Sequence, residues 1–182
     1  MCAQIILLHG PSSSGKSTLA RALQDDLSTP FWHLSIDHMR DSGALPMARF
    51  RQGDFHWPSH RDAIFAGFNA MIAACADAGN DLIVEHIFDE PAWVEGLKVS
   101  LSSHDVFFVG LMCDLEMLNA REAARGDRKP GSAAQDHAQV HLGRRYDVEL
   151  NGAAPVGDNV DQLLRAWRSG RRVSEFHAAQ ST

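Results

Sequence analysis

Residues 10–17 read GPSSSGKS, and they satisfy the phosphate-binding pattern GxxxxGK[ST] at every fixed position. An apolar run at 4–8 precedes them and an amphipathic run beginning at Lys16 follows. That succession predicts strand, loop and helix, the context the pattern needs. The residue types follow from the chemistry. A terminal phosphate carries dense negative charge, and glycine and small serine side chains let the backbone wrap close with its N–H groups pointing inward. The start of the next helix adds its dipole. Gly10, Pro11, Ser12, Ser13, Ser14, Gly15, Lys16, Ser17 and Thr18 are therefore the expected nucleotide contacts. Lys16 is expected to reach the β- and γ-phosphates of ATP, and the Ser17 hydroxyl to ligate Mg²⁺. The competing reading is a Gly/Ser-rich connection that only joins a strand to a helix.

The bulk of the chain sets outer bounds. A length of 182 residues suits one domain with its own core. Hydrophobic residues make up 45% and charged residues 22%, as in an ordinary globular protein. A net charge of −6 argues against a general affinity for nucleic acid or an anionic membrane. The three cysteines are an odd number with no CxxC spacing, which argues against a disulfide framework or a zinc site and for a reducing cytoplasm. No apolar run approaches 18 residues, and the N-terminus lacks the basic start and cleavage site of a signal peptide. The pairs His56/His60 and His137/His141 could each share a helical face, but neither has a clear third ligand.

Taken in order, the first strand covers 4–8, almost wholly apolar as for a parallel strand covered on both faces. Leu19, Leu23 and Leu27 give the first helix its apolar stripe. Residues 31–36 read as the second strand, and Asp37 follows it. A carboxylate at the carboxyl end of a parallel strand stands at the mouth of the sheet, where ligands bind. In a phosphotransferase it can accept the proton of an attacking hydroxyl; the alternative is a helix cap. Residues 38–58 show no sustained period and read as an irregular acceptor-binding loop. A long helix is expected from an N-cap at Ser59, with Ile64, Phe68, Met71, Ile72 and Cys75 on one face. The third strand, 81–85, ends at Glu85 and His86, and Glu85 is placed to hold the hydration shell of Mg²⁺ or to pair with an arginine. A helix over 90–102, a buried strand over 106–112 and a helix capped by Asp114 come next.

The second informative stretch is 121–131, REAARGDRKPG. Arg121 and Arg125 lie four apart on one helical face, and Gly126, Pro130 and Gly131 end the helix in a basic loop that also carries Arg128. Arginines on a closing loop suit the charge on a transferring phosphoryl group; a solvated basic helix end is the bland alternative. A short helix over 133–142, a strand over 146–150 and a helix with Val160, Leu163, Leu164 and Trp167 on one face complete the pattern. The expected division is a single domain over 1–170, with an acceptor loop at about 38–58, a lid at about 121–132 and a fraying tail over 171–182.

These residues together resemble the chloramphenicol phosphotransferase-like family of P-loop kinases. The likeness runs from about Ile5 to Trp167 and rests on SSSGKS, Asp37, LIVEHIF, VGLMCD ending at Asp114, REAARGDR and the run from His141 through YDVE at 146–149. It implies an α/β fold of the shikimate kinase-like P-loop kind: a three-layer sandwich with a five-stranded parallel sheet. It implies Mg-ATP-dependent phosphorylation of an alcohol on a small molecule, which in the type member is the primary hydroxyl of chloramphenicol. Asp37 matches the proposed base, Lys16 and Ser17 the phosphate and metal contacts, and Arg121, Arg125 and Arg128 the lid; by extension from related kinases Arg121 packs on the adenine. Two departures stand out. The type member carries two acids where this chain has Glu85 and His86, and 38–57 matches poorly, with Arg40, Arg49 and Arg51 hinting at an anionic or highly polar acceptor. A metabolic kinase for a sugar, a shikimate-like acid or a nucleoside is the rival within the class. A nucleotide-binding regulatory protein with little turnover is the rival outside it.

Overall fold

The computed structural model describes residues 2–125 and 132–177. Strands β1 (Gln4–His9), β2 (Phe31–Ser35), β3 (Asp81–His86), β4 (Asp105–Met112) and β5 (Val148–Asn151) form one parallel sheet in the order β2-β3-β1-β4-β5. Helix α1 (Lys16–Asp26) follows β1, and α2 (Ile36–Asp41), α3 (Met47–Gln52) and α4 (Trp57–Asp77) lie between β2 and β3. Helix α5 (Pro91–Ser100) joins β3 to β4, α6 (Leu115–Arg125) and α7 (Ser132–Gln139) lie between β4 and β5, and α8 (Val156–Arg168) follows β5.

The sheet is apolar on both faces because helices cover both. Ile5, Ile6, Leu7 and Leu8 of β1 have no exposed surface, and they alternate between two cores. Ile5 and Leu7 pack with Val84 and Phe108 under Phe68 and Ile72 of α4 and Leu97 of α5. Ile6 and Leu8 pack with Ile83 and Val109 under Leu19 and Leu23 of α1 and Leu163 and Leu164 of α8. This is the expected three-layer sandwich. Strand β1 pairs with β3 on one side and β4 on the other, so its carboxyl end lies where the strand order reverses. A ligand crevice forms at such a point.

Four expectations are corrected. Residues 38–58 are largely helical, not irregular: Ser35 Oγ accepts the Asp37 N–H at 3.2 Å to start α2, and Gly53 in the left-handed region ends α3. Phe50, Phe55, Trp57 and His60 cluster there at steep ring angles, and Trp57 also packs against the core, so the aromatics hold the segment together and to the body. The long helix begins at Trp57, with Pro58 in its first turn, rather than after a Ser59 cap. The last strand begins at Val148 because the two preceding residues are otherwise engaged: the Tyr146 ring packs over Gly110, and the Asp147 carboxylate accepts the Phe108 N–H at 2.8 Å. Of the tail expected to fray over 171–182, residues 171–177 are packed, and 178–182 lie outside the described residues. Arg172 makes a two-pronged pair with Asp105 at 2.8 Å while its guanidinium lies over Phe107, and Phe176 is buried against Phe108.

Gly110 is the tightest point of this packing. A Cβ there would stand 2.7 Å from two carbons of the buried Tyr146 ring. Gly110→Ala is expected to destabilise the fold by about 1–3 kcal/mol through forced displacement of that ring. Denaturant unfolding checks it, and an unchanged midpoint would show that the ring moves aside freely.

Candidate active site

A cavity of about 780 Å³ opens at the carboxyl end of β1, and residues 12–19 line it. The loop before α1 can lie this close to the sheet only because two neighbours lack side chains. A Cβ on Gly10 would meet the Leu111 carbonyl oxygen at 2.7 Å, and one on Gly152 would meet the oxygens of Met112 and Ser14 at 2.9 and 3.1 Å. Gly15 takes φ +103, which turns the chain into α1. The first N–H groups of a helix have no partner within it, and those of α1 lie at the cavity wall. The Lys16 ammonium donates to the carbonyls of Gly10 and Pro11 at 2.7 and 2.8 Å. Thr18 is on the cavity wall with the rest of the motif.

Arg121 lines the cavity and reaches the loop from α6. Its Nη1 donates to Ser14 O at 3.1 Å and its Nη2 to Gly152 O at 2.9 Å. The side chain thus ties the loop to the turn after β5, a role that spacing along α6 does not announce. Arg128 lies outside the described residues, and so does the side chain of Arg125.

Ser17 and Glu85 meet as the sequence suggests. Ser17 Oγ donates to Glu85 Oε2 at 2.8 Å, and His33 Nε2 donates to Glu85 Oε1 at 2.7 Å. Burial pushes the Glu85 carboxyl up, but His33, the Lys16 charge and Ser17 outweigh it and hold the acid below its usual range. The donor set fits Mg²⁺. A hard cation that takes most of its oxygens from phosphates and water needs one hydroxyl and a nearby carboxylate, not a protein cage. Among the described residues no cluster of three or more His, Cys, Asp or Glu side chains offers such a cage.

Asp37 stands on the same cavity, in the first turn of α2, and its Oδ1 accepts from Arg40 Nη1 at 2.8 Å. Arg61 on α4 also lines it, paired to Asp89 and lying over the Trp93 ring at 4.4 Å. Arg49 does not: it pairs with Asp54 and lies over Phe55 in the exposed α3 turn. His86, the departure from two acids, is almost fully buried. It stacks on Phe88 at 4.1 Å, with its ring nitrogens toward Ile87 O and Asn69 Oδ1. It joins α4 to the β3–α5 connection while also lining the cavity beside Glu85.

Three features have no sequence signal. The Ser12 N–H donates to Asp136 Oδ2 at 3.0 Å, bringing α7 onto the phosphate loop across 124 residues. The His33–Glu85 contact joins neighbouring strands whose register is known only from the fold. A buried relay lies beneath the loop. The Phe88 N–H donates to His9 Nε2 at 3.1 Å, so His9 carries its proton on Nδ1 and donates it to Tyr146 Oη at 2.8 Å. Tyr146 then donates to His141 Nδ1 at 2.7 Å.

A nest of backbone amides, a lysine, a hydroxyl–carboxylate pair and a second carboxylate across the cavity define a P-loop phosphotransferase. The sequence matches the chloramphenicol phosphotransferase-like family over residues 3–167, and the chain belongs to that family. A Mycobacterium tuberculosis protein provisionally named an O-phosphotransferase is 29% identical over 91% of this chain and 83% of its own length. Among solved structures, a Janibacter sugar kinase superposes with TM-score 0.67 at 20% identity, covering 91% of this chain and 95% of its own. The Mycobacterium tuberculosis APS kinase bound to AMPPNP and APS gives 0.67 at 16%, covering 92% and 98%. The Aquifex aeolicus shikimate kinase gives 0.62 at 16%, also covering 92% and 98%. At these identities the three structures establish the shared fold.

The buried imidazoles make stability pH-dependent. Burial holds His86 down to about 3, burial with the Lys16 charge holds His141 down to about 4, and His9 lies well below its ordinary value for the same reasons. In the unfolded chain all three titrate near 6.5. The unfolded state therefore takes up protons first, and stability that is complete above pH 6.5 is lost as pH falls toward 4, by up to roughly 1.4 kcal/mol per pH unit for each histidine. Urea unfolding at pH 7.5 and 5.0 checks the sign. His141→Asn, which keeps an acceptor for Tyr146, is expected to lose less on acidification; equal stability of the wild type at both pH values would contradict the assignment.

Proposed function

We propose that the chain is an ATP- and Mg²⁺-dependent O-phosphotransferase whose acceptor is a small, uncharged, hydroxyl-bearing molecule of the chloramphenicol kind, acting in the cytoplasm to inactivate an antibiotic. The observation that carries this reading is that Asp37 and the phosphate loop line one cavity, with the Ser17–Glu85 pair beside the loop. The amides of 13–18 and Lys16 would hold the phosphates, Lys16 exchanging two loop carbonyls for phosphate oxygens. Arg121, on the cavity wall, would contact the nucleotide, and Arg125 and Arg128 are proposed to neutralise the transferring group. Ser17 and, through water, Glu85 would hold Mg²⁺, which would supply positive charge beside the phosphates.

Asp37 is the proposed base. A loose phosphoryl-transfer transition state demands little proton removal, so a carboxylate already paired with Arg40 suffices to orient the acceptor hydroxyl in line. The charge of the acceptor wall supports an uncharged substrate. Arg40 and Arg61 each have a carboxylate partner, Asp37 and Asp89, and Arg49 points elsewhere. An anionic acceptor would have to displace Asp37 or Asp89, whereas a neutral one leaves both pairs intact and rests against Trp57 and Phe65. The three free cysteines suit a reducing compartment.

Transfer of labelled γ-phosphate from Mg-ATP to chloramphenicol, alongside neutral and acidic alcohols, tests the reading. Asp37→Asn is expected to lower kcat by about 10²–10⁴-fold with a much smaller change in nucleotide affinity. Full activity in that variant would remove Asp37 as the base. Preference for an acidic acceptor would overturn the charge argument.

A further inference from the structure

We propose that His33 is a positioning residue for the metal side of the nucleotide site: it fixes the Glu85 carboxylate so that the Ser17 hydroxyl presents its lone pairs to the cation. This rests on the nucleotide-binding reading above and goes beyond it. The direction of one hydrogen decides the matter. Ser17 Oγ lies 2.8 Å from Glu85 Oε2, and an ionised carboxylate only accepts, so the Ser17 hydrogen points at Glu85. Both lone pairs are then free of that bond and available to a cation. If the Glu85 carboxylate rotated away, the hydroxyl would be free to turn its hydrogen outward and meet a cation with the wrong end.

A glutamate side chain has three torsions, and Ser17 alone restrains one oxygen. His33 restrains the other. Its Nε2 donates to Oε1 at 2.7 Å, and the two side chains are equally buried, at 7% exposure each. The strand register brings them into reach, because Ser35 on β2 lies opposite Glu85 on β3, with His33 one pleat earlier on the same face. The His33 ring is itself fixed by the edge-to-face approach of His38, with centroids 4.5 Å apart. The order is therefore His38 ring, His33, Glu85, Ser17. It is the arrangement by which outer groups orient a metal's own ligands, and loss of such a group weakens metal binding about 10–100-fold.

Two substitutions separate positioning from bulk. His33→Phe keeps a ring without the donor, and His33→Gln places an amide nitrogen near the lost Nε2. Binding of a fluorescent ADP analogue is measured with saturating Mg²⁺ and with EDTA, and Mn²⁺ binding to the ADP complex is followed by electron paramagnetic resonance. The expected result is that His33→Phe leaves the EDTA affinity unchanged but weakens Mn²⁺ binding, and the Mg²⁺-dependent gain in ADP affinity, about tenfold or more. His33→Gln should recover most of that loss, and Glu85→Gln combined with His33→Phe should add nothing to Glu85→Gln alone. Circular dichroism confirms that each variant is folded; should His33→Phe fail to fold, His33→Asn replaces it, as its shorter amide does not reach Glu85. A wild type that binds no nucleotide would defeat the nucleotide-site reading and this inference with it. A wild type with a Mg²⁺-dependent gain that His33→Phe retains within twofold would overturn this inference alone.

Discussion

Backbone N–H groups can face a ligand only where they are not spent on a helix or a sheet, and this molecule depends on holding a stretch in that condition. Left to itself, a loop of glycine and serine would collapse onto its own carbonyls or wander. Here it is fixed from four directions. Gly10 presses on Leu111 O and Gly152 on Ser14 O, with no room for a Cβ at either. Arg121 bonds the loop to the turn after β5. Below, His9 is locked by Phe88 and Tyr146, and from α7 Asp136 takes the Ser12 amide. The preorganisation that a phosphate site needs is therefore supplied by residues scattered from His9 to Gly152.

Charge is arranged with the same economy. The site carries Lys16, Arg40, Arg61 and Arg121 against Asp37, Glu85, Asp89 and Asp136, and where each charge is paired matters more than the count. Arg40 and Arg61 are paired where the acceptor would lie, and Glu85 is held ionised by two donors despite its burial. Arginines counted along 38–58 suggest an anionic or highly polar acceptor; two of them, Arg40 and Arg49, have carboxylate partners in Asp37 and Asp54. The difference is that attraction falls off within a few ångströms, so the partner at 2.8 Å decides what a charge can do and the composition of the segment does not.

The same distinction separates what is legible in the sequence from what is not. The buried strands and the phosphate loop are local patterns: apolar runs, turn residues and a motif complete within eight positions, and apart from the start of β5 they stand within a residue of where expected. Asp37 and Glu85 can be singled out because a strand end has a known place in a parallel sheet. The segment 38–58 reads as a loop because its helices are short, six residues each, and are held by caps and an aromatic cluster rather than by a repeating stripe. The packing of 171–177 is hidden for a related reason: one arginine paired to Asp105 and one buried Phe176 anchor it, and neither has a periodicity to notice. The relay of His9, Tyr146 and His141 crosses 137 positions and leaves no local trace.

These constraints divide the labour within one fold. The phosphate loop, β1, β3 and the strands beyond them form the donor side, where nearly every contact is to backbone or to a buried partner and where substitution disturbs the core itself. The proposed acceptor wall is drawn from α2, the start of α4 and the β3–α5 connection, through Asp37, Arg40, Trp57, Arg61 and Asp89, all at or near the surface. Side chains there can change without touching the sheet. Asp37 belongs to both sides: its backbone is fixed by the cap of Ser35 on β2, while its carboxylate shares Arg40 with the wall. A chain built this way could keep its chemistry and exchange its acceptor, because the residue proposed to meet the acceptor hydroxyl is anchored to the sheet and the residues proposed to recognise the rest of the molecule are not.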